Sequence, residues 1–370
     1  MHDTDLKYKI AISLIPGIGS VLAKKLIAYC RSAEGVLREK KVNLLKIPGI
    51  GPMLAESISN FNGIETAEKE IQFIERYQIR ALAYTDADYP VRLKNCEDSP
   101  VVLFVKGNVN LNHSKILSIV GTRSATNYGK EHCYRIIEEL TLRKHNPIII
   151  SGLAYGIDIA AHKAALQYKL PTVAILAHGL DSIYPSTHKT AAKEMLAQGG
   201  IATEFLSNTK MDRNYFLQRN RIIAGLADAV LVVESGTKGG ALVTAAAAMS
   251  YNRDVLAIPG RTEDKYSSGC NLLIKRNQAA LIETVDDIEY CLNWKPEVNG
   301  TLLKQTELFL NLNEQEQLVV DVLKEESDAF IDMISLKTGL AVNLVSALLL
   351  NLEFMGIVRC APGKRFSLNR

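Results

Sequence analysis

The sequence predicts an α/β protein built on a parallel sheet, preceded by a small all-helical region and followed by a compact region of helices and a hairpin. Three observations carry this. Between residues 115 and 290, short apolar runs alternate with helical patterns of ordinary length, at 129–144, 157–168, 188–198, 219–226 and 241–251. Strands alternating with helices give parallel pairing with helices on both faces. Each apolar run also ends at glycine: 115–120 at Gly121, 148–151 at Gly152 and then Gly156, 172–176 at Gly179, 229–234 at Gly236, Gly239 and Gly240, and 255–259 at Gly260. Right-handed crossovers set such ends along one edge of the sheet.

At 370 residues the chain exceeds one typical domain, so two or three are expected. Lys and Arg number 43 against 40 Asp and Glu, a net charge of +3, so any nucleic-acid footprint must be local. Six scattered cysteines (Cys30, Cys96, Cys133, Cys270, Cys291, Cys360) form no C-x-x-C pair, which argues against zinc or a disulfide framework and for reduced thiols. The first residues lack the order of a secretion signal, and no apolar run approaches the ~20 residues that span a bilayer. A cytoplasmic protein with no membrane partner is expected.

Residues 1–75 read as helical and contain a short repeat. Leu14-Ile-Pro-Gly-Ile-Gly19 and Ile47-Pro-Gly-Ile-Gly51 each open a helix with similar apolar spacing, the pattern of two helix-hairpin-helix motifs. Such turns expose backbone amides that can hold a DNA phosphate without reading sequence. Lys24 and Lys25 follow the first turn, and nothing comparable follows the second, so a bundle that keeps the turns for packing is the stronger expectation. Residues 76–114 contribute strands near 79–84 and 100–106 that lead straight into the parallel sheet, giving a sheet domain over 76–292.

A polar stretch at 293–313 reads as a linker. From 314 to 370, helices at 314–324, 331–338 and 342–353, then a strand, a Pro-Gly turn and a strand, give the winged-helix outline. The helix in the recognition position has no lysine or arginine, whereas a DNA-reading helix brings cations to phosphates. It suits packing or protein contact.

Two stretches carry chemistry. Gly121, Thr122 and Arg123 close the first sheet strand: glycine admits close backbone approach, and arginine supplies a planar fork for phosphate oxygens. In open α/β sheets, anionic ligands sit in the crevice at the strands' carboxyl ends. The second stretch is 210–226, where Lys210, Arg213, Arg219 and Arg221 surround Tyr215 and Phe216. Cations interleaved with aromatics suit single-stranded nucleic acid, whose phosphates follow a basic groove while bases stack on rings. A solvated helix start with core aromatics has the same composition, but a position just before a strand, beside Arg123, favours binding. Asp158 and His162, four apart, read as a helix cap or turn-orienting carboxylate and its support rather than as a catalytic pair.

Taken together, Ser118-Ile-Val-Gly-Thr-Arg123, Ser151-Gly-Leu-Ala-Tyr-Gly-Ile-Asp158 with His162, Gly179-Leu-Asp-Ser-Ile-Tyr-Pro185, Phe216 with Arg219-Asn-Arg-Ile-Ile-Ala-Gly-Leu226, and Val230-Leu-Val-Val-Glu234 resemble the DNA-processing protein A family, DprA or Smf. The resemblance covers about residues 80–290, and the flanking regions agree with longer members that carry an N-terminal sterile-alpha-motif-like domain and a winged helix. It implies an extended Rossmann-like domain that binds single-stranded DNA as a homodimer, protects incoming strands in natural transformation and loads the RecA recombinase, without cofactor or enzymatic turnover. Carried over by motif, the DNA-binding residues are Gly121, Thr122, Arg123, Ser151, Gly152, Gly156, Lys189, Arg213, Phe216, Arg219, Asn220, Arg221 and Lys238, with one or two of the Arg-Asn-Arg residues structural. The chain departs from the family's Ser-Gly-Ser-Leu turn at Lys238-Gly-Gly-Ala-Leu242, where Lys238 replaces a hydroxyl contact with a cation. Leu217 stands where the family has proline, and Gln278-Ala279 where it has Gly-Ala. A rival reading is a nucleoside-monophosphate phosphoribohydrolase, from the likeness of Glu234-Ser-Gly-Thr-Lys-Gly-Gly240 to its glycine turn. That enzyme needs a placed carboxylate, and Leu242-Val-Thr-Ala follows instead.

Overall fold

The computed structural model describes residues 2–295, 312–326, 328–361 and 363–369. Nine strands form one sheet: β1 (Arg80–Ala83), β2 (Val102–Lys106), β3 (Ile116–Val120), β4 (Ile148–Ser151), β5 (Thr172–Ile175), β6 (Gly200–Thr203), β7 (Ala229–Val232), β8 (Asp254–Ala257) and β9 (Ala280–Leu281), in the order β1-β2-β6-β5-β4-β3-β7-β8-β9. From β6 to β9 every pair is parallel. β3, β4 and β7 are buried along their whole length, as strands covered on both faces must be. Their side chains alternate between two cores. Ile116 and Val120 face the helices Arg213–Leu226, Gly240–Ser250 and Ser268–Lys275. Leu117 and Ile119 face Asn127–Leu142, Ile157–Gln167 and Val285–Leu292.

The parallel arrangement agrees with the sequence expectation, but its first two strands do not lead into β3. Instead β1 and β2 run antiparallel and extend the far edge beside β6, where Lys106 pairs with Ile201. β6 and β9 are two further strands that the glycine-ended runs do not reveal. β6 is a four-residue segment that begins with glycine, and β9 has two residues, too short for a pattern.

The six N-terminal helices, from His2–Ser13 to Ile64–Arg76, bury Ile10, Leu26, Val36 and Ile58 in a core shared with Val102 and Phe104 of β2. The two Pro-Gly-Ile-Gly turns pack reciprocally. Gly17 (φ +82°) lies against Leu54 of the helix that follows the second turn, and Gly49 (φ +92°) against Leu22 of the helix that follows the first. Lys24 donates to Ser99 Oγ (2.6 Å) and to the Glu97 carbonyl (3.0 Å), and burial lowers its pKa to about 8. It ties this bundle to the sheet region.

After a linker that, apart from its ends, lies outside the described residues, the helices Glu314–Glu325, Ile331–Thr338 and Val342–Phe354 enclose Val319, Ile334, Val345 and Leu352. They carry a three-stranded sheet in the order β10-β12-β11, with β10 Ala329–Phe330, β11 Val358–Ala361 and β12 Arg365–Leu368. This is the winged helix the sequence outlines. Among the described residues, no single helix is long and apolar enough to cross a membrane.

The wing reaches the amino ends of the sheet strands. Arg365 lies 3.5 Å from Asp228, whose carboxylate also takes two bonds from Arg92 (2.7 and 3.0 Å) and one from the Ile116 amide (2.8 Å). Arg92 and Asp228 are 4% and 1% exposed. Removing one member of a buried pair leaves an unpaired charge, at a cost of about 3–5 kcal/mol. Asp228→Ala is therefore expected to lower unfolding stability by about that amount in urea titration; a loss typical of a surface site, within about 0.5 kcal/mol, would contradict this account.

Candidate nucleic-acid interface

Strand order reverses between β3 and β7: the chain winds outward through β4, β5 and β6, then returns to the other side of β3. The loops that leave β3 and β7 diverge there and open a crevice. A cleft of about 670 Å³ occupies this position, lined by Gly121, Thr122 and Arg123 from the first loop and by Lys238, Gly239 and Gly240 from the second. The helix that enters β7 supplies its third wall through Arg213, Phe216 and Asn220.

The loops are locked to each other through their backbones. The Thr122 amide donates to the Glu234 carbonyl (2.7 Å), and the buried Glu234 carboxylate accepts from the Thr126 amide (2.9 Å) and hydroxyl (2.5 Å). Thr126 also caps the helix Asn127–Leu142. From β4, Gly156 (φ +79°) presses so close that a Cβ there would lie 2.1 Å from the Thr122 carbonyl oxygen, and the Ile157 amide donates to that same oxygen (3.2 Å). Gly121 leaves equally little room: an added Cβ would stand 2.4 Å from Ile157.

Arg123 projects from this lock, exposed, with its guanidinium carbon 5.3 Å from the centre of the half-buried Phe216 ring. Tyr184 meets Phe216 edge-on at 6.2 Å and 67°. The guanidinium is thus held by the ring's quadrupole while its N–H groups stay free for an anion. Arg213 and Lys238 are exposed at the same mouth, and so is the carboxylate of Asp212, which caps the helix by accepting from the Asn214 amide (2.7 Å).

Not every residue expected to touch DNA is free to do so. The helix begins at Arg213, six residues earlier than its pattern indicates, because Asp212 starts it. Helical spacing then sorts its side chains: Arg213, Phe216 and Asn220 face the cleft, whereas Arg219, Ile222 and Leu226 face the sheet. Arg219 is buried, donates to the Ile175 carbonyl and touches the cleft only as part of its floor. Burial brings its pKa down to about 10, against the opposing pull of Asp158, with Arg123 pushing the same way as burial. Gly152 is the glycine that makes room for it, since a Cβ there would lie 2.0 Å from Arg219 Nη1.

Ser151 is likewise buried and donates to the Ile119 carbonyl (2.6 Å). Arg221 turns away to pair with Glu204 and, at 4.0 Å, with Asp98. Asn220 lines the cleft and reaches the Gly240 carbonyl (3.4 Å), so it braces two of the walls. Gly156 acts through the backbone lock. Lys189 stands outside the cleft, in a neighbouring hollow of about 380 Å³. His162 does not support the Gly156 turn. Fully buried, it bonds Thr172 Oγ1 (2.7 Å), and burial lowers its pKa to about 3. Tyr184, beside Pro185 in the Gly179–Pro185 motif, adds a ring to the cleft that no local sequence pattern marks.

The structure is thus an α/β protein with a cation-and-aromatic cleft at the switch point of a parallel sheet, a helical bundle before it and a winged helix after it. The chain belongs to the DprA (Smf) family: the family model described as DNA recombination-mediator protein A matches residues 80–293, and the DprA winged helix domain matches residues 310–364. It is 32% identical to protein Smf of Synechocystis sp. over 99% of both chains. Among solved structures, it is similar to DNA processing protein A of Streptococcus pneumoniae, with a TM-score of 0.65 and 31% identity over 76% of this chain and 95% of that one. It is also similar to DNA processing protein A of Helicobacter pylori, described for its single-stranded DNA binding mode, with a TM-score of 0.52 and 27% identity over 58% of this chain and 95% of that one.

Gly156→Ala is expected to disturb the turn that carries Arg123 and to destabilise the fold by more than ~1 kcal/mol, because the added methyl meets both a positive φ and a carbonyl oxygen. Urea unfolding measures this. An unchanged midpoint would mean that the three loops are not locked as described.

Proposed function

We propose that this protein binds single-stranded DNA in the cleft between the β3 and β7 loops and acts as a recombination mediator. In that role it protects incoming strands during natural transformation and loads a RecA-type recombinase onto them, working as a homodimer. The observation that carries the reading is the Arg123 guanidinium seated over Phe216 at the cleft mouth, 5.3 Å from the ring centre. One group offers forked donors to a phosphate and the other a ring to an unpaired base. A base paired in a duplex has no free face for Phe216, so single strands are preferred.

Family membership supports the recombination role, and the Helicobacter pylori relative supports the choice of single strands. Arg123, Arg213 and Lys238 are assigned to phosphates, Phe216 to a base, and Thr122 to the rim. Arg219, Ser151 and Gly152 hold the floor from beneath, and Arg221 holds the helix in place. The winged helix is assigned to protein contact, since its helix Val342–Phe354 contains no lysine or arginine.

Fluorescence anisotropy with oligo-dT tests this reading. Arg123→Ala should weaken binding by about 1.5–3 kcal/mol, the worth of a hydrogen bond to a charged group. It should also reduce the salt slope by about 0.7 for the phosphate released. Phe216→Leu should cost about 1–3 kcal/mol, the stacking of one base, with the salt slope unchanged. Wild-type protein that prefers duplex, or two variants that bind like wild type, would overturn the assignment. Recombinase loading is read separately, as the rate at which purified recombinase displaces single-strand-binding protein with and without this chain; equal rates would remove that role.

A further inference from the structure

Resting on the single-strand reading above, we propose that Glu70, on the last helix of the N-terminal bundle, is a positioning residue for DNA binding: it tethers the loop that delivers Arg213 and Phe216 to the cleft. The bundle then shapes the DNA site without touching the strand. Along Ile64–Arg76, Glu70 falls on the same face as the buried Ala67 and Ile74, where the helical period calls for an apolar side chain. It is 5% exposed. A carboxylate in such a place is costly unless its oxygens are bonded, and packing alone gives no reason for one. Every hydrogen bond it makes among the described residues goes to a single residue of the sheet domain. Oε2 accepts from the Ser207 amide (3.0 Å) and hydroxyl (2.5 Å), and Oε1 lies 3.1 Å from the same amide.

Ser207 belongs to the stretch between β6 and the helix Arg213–Leu226. This stretch is tied near its start, where the Phe205 ring lies 4.5 Å from that of Tyr215, and at its end, where Asp212 caps the helix. Between those ties it forms neither helix nor strand. Glu70 and Asp181 hold it there, Asp181 by accepting from the Asn208 amide (3.1 Å). Asp181 comes from the loop after β5, which also carries Tyr184. The two loops press together, since a Cβ at Gly179 would lie 2.3 Å from the Leu206 carbonyl oxygen. Leu180 from one and Leu206 from the other both pack on the bundle's core. One helical surface thus sets both loops, and with them the side of the cleft that Tyr184, Arg213 and Phe216 line. A side chain whose backbone is fixed beforehand loses less freedom on contact with a phosphate. Arg213, first in its helix, is the cleft cation most directly governed by this tether.

A double-mutant cycle read by oligo-dT anisotropy tests the proposal. Glu70→Ala should weaken binding about tenfold and lower the salt slope by about 0.7, as the loss of one phosphate contact does. Arg213→Ala should do the same, and the double variant should bind no more weakly than either, because both changes remove one contact. Glu70→Gln should recover most of the affinity, since its amide oxygen can take the place of Oε2. Glu65→Ala, which removes an exposed carboxylate from the same helix, should bind like wild type. If urea titration shows that Glu70→Ala does not fold, Ser207→Ala takes its place in the cycle, with a loss of about threefold that again does not add to that of Arg213→Ala. Losses that add would overturn the tether, and so would a Glu70→Gln variant as weak as Glu70→Ala or an equal loss in Glu65→Ala. Glu70 and Ser207 variants that bind like wild type while Arg123→Ala is weakened would also overturn it, and would leave the single-strand reading standing. If wild-type protein does not bind oligo-dT, it is the single-strand reading itself that fails, which is a distinct result.

Discussion

The carbonyl oxygen of Thr122 is the point on which the site depends. It accepts the Ile157 amide at 3.2 Å and lies within van der Waals reach of Gly156, while the amide of the same residue bonds the Glu234 carbonyl at 2.7 Å. One peptide segment is thereby fixed from both neighbouring strands, β4 on one side and β7 on the other. Arg123 follows it directly, so a long and rotamer-rich side chain is presented from a backbone that has almost no freedom left. Preorganisation of this kind reduces the ordering cost that ligand binding would otherwise carry.

Beneath that surface the charges are sorted by depth. Arg219 and Asp158 face each other under the cleft, both buried, and burial shifts each toward its neutral form while the partner opposes the shift. At the mouth, Arg123, Arg213 and Lys238 are exposed to solvent. The same residue type serves in both layers. A buried arginine without a carboxylate would be costly, whereas an exposed one next to a ring is available to a polyanion. Arg221, tied to Glu204, sits on the side of the helix away from both.

Much of this was legible in the sequence. Glycine-ended apolar runs marked the carboxyl edge, and the shared family motifs picked out Arg123 and Phe216. The sorting of Arg219, Asn220 and Arg221 was not legible, because three adjacent polar residues show no face until the helix start is known, and that start hangs on a single aspartate, Asp212. Nor could Ser151 and Gly152 be recognised as lying under the floor: a small residue at a strand end reads alike whether it borders a ligand or a buried guanidinium. The displacement of Lys189 into a separate hollow depends on the path of the 176–188 loop, which local pattern does not determine. β1 and β2 were seen as strands, yet their partner was not, since pairing with β6 is a contact across half the sheet domain.

That last pairing bears on how the molecule comes into being. On the ribosome, the N-terminal helices and β2 emerge well before β6 does, and Val102 and Phe104 of β2 already belong to the helices' core. The bundle can therefore gather early around one face of β2, while the ladder edge of that strand waits, unpaired, for Gly200–Thr203. An unpaired edge is a template for adhesion to other chains. In the growing polypeptide, that edge is satisfied only when β6 arrives, however early the bundle covers the face of β2.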